Sequence, residues 1–175
     1  MEAVARFFPV SLDRFMVDCI GELEDPSSRI DEKTIDNIQQ AYKSIVLPQR
    51  GTKGSAGYDI RSPFGFTLAP GETKKFPTGL RCRINPGWVL MVFPRSSVGF
   101  KYHVALNNTV GIIDSDYFYA DNEGHIWCKI HNFGDKDMVV EPNDRICQGI
   151  FVPFGVTSDD EVTILRSGGI GSTGT

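Results

Sequence analysis

From Gly54 onward the apolar residues come only in short stretches, at 76–84, 88–93, 125–131 and 145–154, separated by Gly, Pro, Asn and Asp. Within them apolar residues alternate, as in Leu80, Cys82, Ile84 and in Ile126, Cys128, Ile130. That period of two places one face of each segment in a core and leaves the other in water. Pro70-Gly71, Pro86-Gly87 and Asp121-Asn122-Glu123-Gly124 supply fixed or positive φ where the chain must reverse. Short strands punctuated in this way predict an all-β sandwich or barrel.

The first 45 residues read differently. Residues 4–10 suit a strand, Ser11 is placed to cap a short helix to about Ile20, and Asp31 opens a second helix. Ile35, Ile38, Tyr42 and Ile45 then recur at near-helical spacing. The expected division is an α-helical N-terminal extension over 1–45 packed on the core, a β domain over 46–165 and a C-terminal arm over 166–175. The arm has four glycines in ten residues, which no core strand tolerates. At 175 residues with 41% hydrophobic composition, one globular unit has enough apolar material for its core.

Cys19, Cys82, Cys128 and Cys147 lack the paired spacing of a zinc or redox motif and read as buried free thiols on strands. The N-terminus lacks the basic-then-apolar order of a secretory signal, and the apolar runs are too short to span a bilayer. The expectation is a soluble, cytoplasmic protein with no membrane partner. A net charge of −4 offers no broad basic field for a nucleic-acid polymer. A small polyanion remains admissible, since Arg side chains, backbone N–H groups and a divalent cation can focus charge locally.

Chemistry concentrates at Gly111-Ile112-Ile113-Asp114-Ser115-Asp116-Tyr117, where an apolar approach delivers Asp114 to the end of what reads as a buried strand and Tyr117 follows at the turn. An Asp there is also an ordinary turn former. Four further segments accompany it in order: Ala56-Gly57-Tyr58-Asp59-Ile60, Pro94-Arg95-Ser96-Ser97-Val98-Gly99, Asp144-Arg145-Ile146-Cys147-Gln148, and Arg166-Ser167-Gly168-Gly169-Ile170-Gly171-Ser172-Thr173-Gly174. Together they closely resemble the five ordered motifs of the trimeric dUTPases, over roughly residues 46 to 175.

The resemblance implies a jelly-roll-like β fold with a Gly-rich C-terminal arm that closes over nucleotide. It implies hydrolysis of dUTP to dUMP and pyrophosphate, which limits uracil incorporation into DNA and supplies dUMP for dTMP synthesis. By motif position, Asp114 orients and deprotonates the water that attacks the α-phosphorus, with Mg2+ riding on the substrate phosphates. Arg95, Ser96, Ser97 and Gln148 hold phosphate, and Arg166, Gly169, Ile170, Gly171 and Ser172 belong to the arm that closes over the substrate. Asn108, Gly111, Ile112 and Ile113 belong to the hairpin that reads uracil, and Tyr117 lies under the deoxyribose. No direct protein ligand to the metal is expected; Asp59 serves it through water. Asp144 and Arg145 read as a local ion pair. The resemblance further implies a homotrimer whose sites combine hairpin, phosphate loops and arm from different chains.

Two departures stand out. Phe118-Tyr119-Ala120-Asp121-Asn122-Glu123 lengthens the hairpin, and Ile170 stands where many members have a Phe that stacks on uracil. Phe100, Tyr102, Phe118 or Tyr119 is the expected replacement cover. A dCTP deaminase of similar fold shares the Gly124-His125-Ile126 segment, but the position of its catalytic Glu holds Lys129. A non-catalytic jelly-roll module that docks a partner through the N-terminal segment is the other alternative.

Overall fold

Strand alternation is realised where the pattern called for it. In the computed structural model, which describes residues 2–22, 30–164, 166 and 168, Cys128 and Ile130 point inward while Lys129 between them is exposed. In chain order the elements are β1 (Ala5–Pro9), α1 (Leu12–Gly21), α2 (Glu32–Lys43), β2 (Tyr58–Arg61), β3 (Phe66–Leu68), β4 (Thr73–Pro77) and β5 (Leu80–Ile84). There follow β6 (Trp88–Pro94), α3 (Ser96–Tyr102), β7 (Val104–Leu106), β8 (Gly111–Ile113), a 3-10 helix (Ser115–Tyr119), β9 (Trp127–Asn132), β10 (Met138–Val140) and β11 (Arg145–Pro153).

All the pairings are antiparallel. One sheet has the order β2-β11-β6-β8, another β4-β9-β7, and β1-β5 and β3-β10 form two-stranded pairs. Ile60, Leu90, Ile146 and Cys147 of the first sheet share one core with Phe76, Val104, Cys128 and Ile130 of the second and with Leu80 and Cys82 of β5. The all-β reading is borne out. Burying each large aliphatic side chain there contributes roughly 2 kcal/mol against solvent.

The stretch 76–84, read from the sequence as one strand, is two. Gly79 at φ +73 turns the chain after β4, which pairs with β9, so that β5 can pair with β1. The four cysteines are buried and free. Cys19, however, lies on α1 and not on a strand.

Residues 5–9 join the β framework through β5, so the helical pair lies between β1 and β2 and does not simply precede the β core. Ser11 caps α1 by accepting the Arg14 N–H, and Asp31 caps α2 by accepting that of Thr34. Phe15 and Cys19 of α1 pack with Ile38 and Ala41 of α2 over Val10 and Phe64. The Tyr42 hydroxyl donates to the Val10 carbonyl at 2.7 Å.

The long hairpin is tied to the same helices. The Ser11 N–H and hydroxyl donate to Glu123 at 2.9 and 2.6 Å. Arg81 lies 3.6 Å from the same carboxylate, and its guanidinium stacks 3.8 Å from the Phe118 ring centroid. Partial burial pulls the Glu123 carboxyl upward, but the two hydrogen bonds it accepts from Ser11 and the nearby charges of Arg81 and Arg14 hold it below the ordinary carboxylate range. A folded-state value below the unfolded one gives stability that is present at neutral pH and lost as pH falls through the folded value. Glu123→Gln should therefore cost about 1 kcal/mol at pH 7. In urea titrations the gap between variant and parent should close near the acid end.

Candidate active site

Among the described residues β8 is an edge strand paired with β6 alone, with Leu90 opposite Ile113 and Val92 opposite Gly111. The approach to Asp114 is consequently not buried as expected: Ile112 is 53% exposed. Among the described residues no strand covers the far side of β8, so the edge hands Asp114 to solvent with its side chain half exposed. The 3-10 helix begins at once, with Asp114 as its extended N-cap. Its tight turn separates the neighbours, leaving Asp116 outside and swinging Tyr117 inward to 5% exposure.

Arg166 closes this cluster. Its Nη2 lies 2.6 Å from Asp114 Oδ2, its Nε 2.9 Å from Asp116 Oδ1, and its guanidinium carbon 5.7 Å from the Tyr117 ring centroid. Asp114, Tyr117 and Arg166, singled out separately in the sequence, thus meet in space. Asp116 had no assigned role, and only proximity reveals its part. Arg166 lies beside the hairpin of its own chain. Gly169, Ile170, Gly171 and Ser172 lie outside the described residues.

The Tyr117 hydroxyl donates to the His125 carbonyl at 2.7 Å and accepts from Asn122 Nδ2 at 2.8 Å. Burial pushes this phenol upward, so at neutral pH it stays protonated and able to donate.

A second cluster forms where β2, β11 and β6 run side by side. Gln148 of β11 pairs with Asp59 on one flank and Phe93 on the other. Asp59 receives Arg95 Nε at 2.8 Å and Arg145 Nη1 at 3.3 Å. With one oxygen facing each guanidinium, Asp59 is an organiser of cations in this geometry. The expected Asp144–Arg145 pair is absent among the described contacts: Arg145 turns across the sheet to Asp59, while Asp144 Oδ2 accepts the Glu141 N–H at 2.9 Å. The sequence could not rank a neighbour against a partner 86 positions away.

Ser96 and Ser97 open α3, a helix that the sequence reading did not anticipate; Arg95 sits extended at its N-cap and His103 closes it at φ 54. A helix start leaves its first N–H groups without internal acceptors. Gln148 Nε2 donates to the Pro94 carbonyl at 3.3 Å. Gly57 lets this amide approach, since a methyl group there would sit 2.6 Å from Gln148 Oε1.

Beside Asn108, Gly111 and Ile113 lies a cleft of about 240 Å3, also lined by Lys75, Trp127 and Lys129. It suits one heterocycle better than a whole nucleotide. Lys75, Trp127 and Lys129 were not among the candidate residues, although the alternation of β9 puts Trp127 and Lys129 on one face. Of the candidate covering rings, Phe118 is committed to Arg81 and Phe8, and Tyr102 packs on the core. Phe100 and Tyr119 are exposed.

The two clusters are far apart within the chain. Asp114 follows Ile113, which faces Leu90, whereas Arg95 follows Pro94 at the other end of β6. Some six residues of strand, about 20 Å, separate them. Among the described residues no three His, Cys, Asp or Glu side chains converge to hold a metal ion, and no helix is long and apolar enough to cross a membrane.

A sequence model of the family described as dUTPase matches residues 43–174, beginning where α2 ends. The deoxyuridine 5'-triphosphate nucleotidohydrolase of Lactococcus lactis subsp. lactis (strain IL1403) is 45% identical over 138 residues, covering 76% of this chain and 92% of that protein. Its namesake from Escherichia coli O45:K1 (strain S88 / ExPEC) is 38% identical over 154 residues, covering 83% and 97%. The crystal structure of dUTPase from Streptococcus mutans aligns with a TM-score of 0.58 at 38% identity, over 63% of this chain and 88% of that one.

Proposed function

This chain belongs to the dUTPase family, and from that premise we propose that it hydrolyses dUTP to dUMP and pyrophosphate by attack of water on the α-phosphorus. The observation that carries the reading is the meeting of Asp114, Tyr117 and Arg166 on an exposed strand end. Asp114, accessible to solvent, accepts hydrogen bonds from a water molecule and takes its proton as the oxygen attacks. Arg166, already beside that carboxylate, can exchange it for phosphate oxygens, and its planar fork suits them. Tyr117 offers its ring to the sugar, while Asn108 and the backbone from Gly111 to Ile113 border the cleft that accepts the base.

Arg95, Ser96, Ser97 and Gln148 bind the phosphate chain, with Asp59 holding Arg95 in place. Mg2+ bound with the substrate would neutralise charge on the triphosphate, and no carboxylate cluster of the described residues would be needed to hold it. The donor set fits that arrangement, since both oxygens of Asp59 already face guanidinium groups. Phe100 or Tyr119, the exposed rings, covers the uracil.

We further infer a homotrimer with shared sites. Some 20 Å of strand between Asp114 and Arg95 exceeds the reach of one triphosphate, so a neighbouring copy must bring its own Arg95 cluster to each Asp114.

Pyrophosphate release measured with dUTP, dCTP, dTTP and UTP tests the reading: turnover confined to dUTP is expected. Ammonia release from dCTP would favour the deaminase, although Lys129 occupies the position that needs an acid. No turnover at all would leave a binding module. Gly57→Ala should leave folding nearly unchanged, because the amide it displaces is the end of a flexible side chain. It should raise KM for dUTP by roughly tenfold with a smaller change in kcat, as expected for lost ground-state binding.

A further inference from the structure

We propose that the helical insertion is a positioning device for the ring that senses the sugar: Asp18 of α1, acting through His125, and Asn122 of the long hairpin hold Tyr117 and so set the preference for 2'-deoxyribose. The inference rests on the dUTPase reading above and goes beyond it, because α1 lies outside the residues that match the family.

His125 is fully buried and engaged at both ring nitrogens. The Gly79 N–H can only donate, and it does so to His125 Nε2 at 2.8 Å. In the neutral ring the proton is therefore on Nδ1, facing Asp18 Oδ2 at 2.5 Å. The other Asp18 oxygen is held by Arg14 Nη2 at 2.7 Å, one turn earlier on α1. The helix thus fixes the imidazole, and the backbone of that same residue carries the carbonyl that accepts the Tyr117 hydroxyl. Asn122 supplies the remaining hydrogen bond to this hydroxyl.

Tyr117 itself stands in a five-residue 3-10 helix on an edge strand, an element with little intrinsic persistence. Packing buries its ring, and the two hydroxyl contacts fix where the ring comes to rest. Deleting the Asp18 carboxylate strands a buried Nδ1–H. Moving that proton to Nε2 instead would set two donors against each other at Gly79. Either way residue 125 shifts, and the ring that excludes a 2'-hydroxyl shifts with it. Steric refusal of this kind depends on fractions of an ångström.

The test compares kcat/KM for dUTP and UTP in the parent, Asp18→Ala, Asp18→Asn and Asn122→Ala. Asp18→Ala and Asn122→Ala should each lower the dUTP:UTP ratio about tenfold, through KM for dUTP and new turnover of UTP, with kcat on dUTP kept within about threefold. Asp18→Asn retains an acceptor for Nδ1 and should recover most of the preference. Asn122 is a partly exposed loop residue, so Asn122→Ala decides the matter even if Asp18→Ala does not fold. A ratio within twofold of the parent in folded Asn122→Ala and in every Asp18 variant that folds overturns the proposal. A parent without dUTP turnover overturns the functional reading instead, a distinct result.

Discussion

Asp114→Asn is expected to lower kcat for dUTP by about a thousandfold, within the range that a positioned general base contributes. Asn is isosteric and still accepts a hydrogen bond, but it cannot take the proton that water must lose. The half-exposed site at the end of an edge strand means little packing changes, so stability should move by no more than about 0.5 kcal/mol. The lost Arg166 contact is partly retained through Asp116, 2.9 Å from its Nε. KM should accordingly change little, and residual turnover should persist because phosphate binding is untouched. Single-turnover measurements with saturating dUTP check this; a kcat within tenfold of the parent in a folded, correctly assembled variant would remove Asp114 from the chemistry.

Two inactive chains should restore activity when combined. Arg95→Ala removes a phosphate ligand, while Asp59 keeps Arg145, so the sheet survives and kcat/KM falls by a hundredfold or so. Asp114→Asn damages the other cluster, about 20 Å away in the same chain. If each site takes Asp114 from one copy and Arg95 from another, random mixing at equal ratio leaves about a quarter of the sites intact, one half times one half. Co-expression followed by activity and native mass measurements separates the outcomes. Mixed oligomers that stay inactive would show that both clusters act within one chain, and a monomeric parent would sink the assembly outright.

Much of the architecture was legible because its causes are local. The alternation at Ile126, Cys128 and Ile130 predicted an inward face that the core uses, and Gly71, Gly87 and Gly124 turn at positive φ as the Pro-Gly and Asn-Glu-Gly signals required. Failures cluster where local signals are ambiguous. Thr78-Gly79 divides an apparently continuous strand, and Pro94-Arg95-Ser96-Ser97 opens a helix. Ile112 looks like core material but faces solvent, since hydrophobicity does not say whether a strand has one neighbour or two. Motif order singled out Asp114, Tyr117 and Arg166, which the structure brings together, and Arg95 and Gln148, which fall in a second cluster. It was silent on Lys75 and Trp127 in the cleft, and it paired Arg145 with the wrong acid.

By itself the amino-acid order determined the class of element, its turns and the chemistry available, because side-chain period and backbone φ preference act over a few residues. Tertiary structure alone decided which groups meet. Asp18 reaches His125 across 107 positions, Ser11 reaches Glu123 across 112, and Arg166 reaches Asp114 across 52. Those pairings depend on how sheets and helices pack together to bury apolar surface, a property of the whole chain that no local stretch encodes.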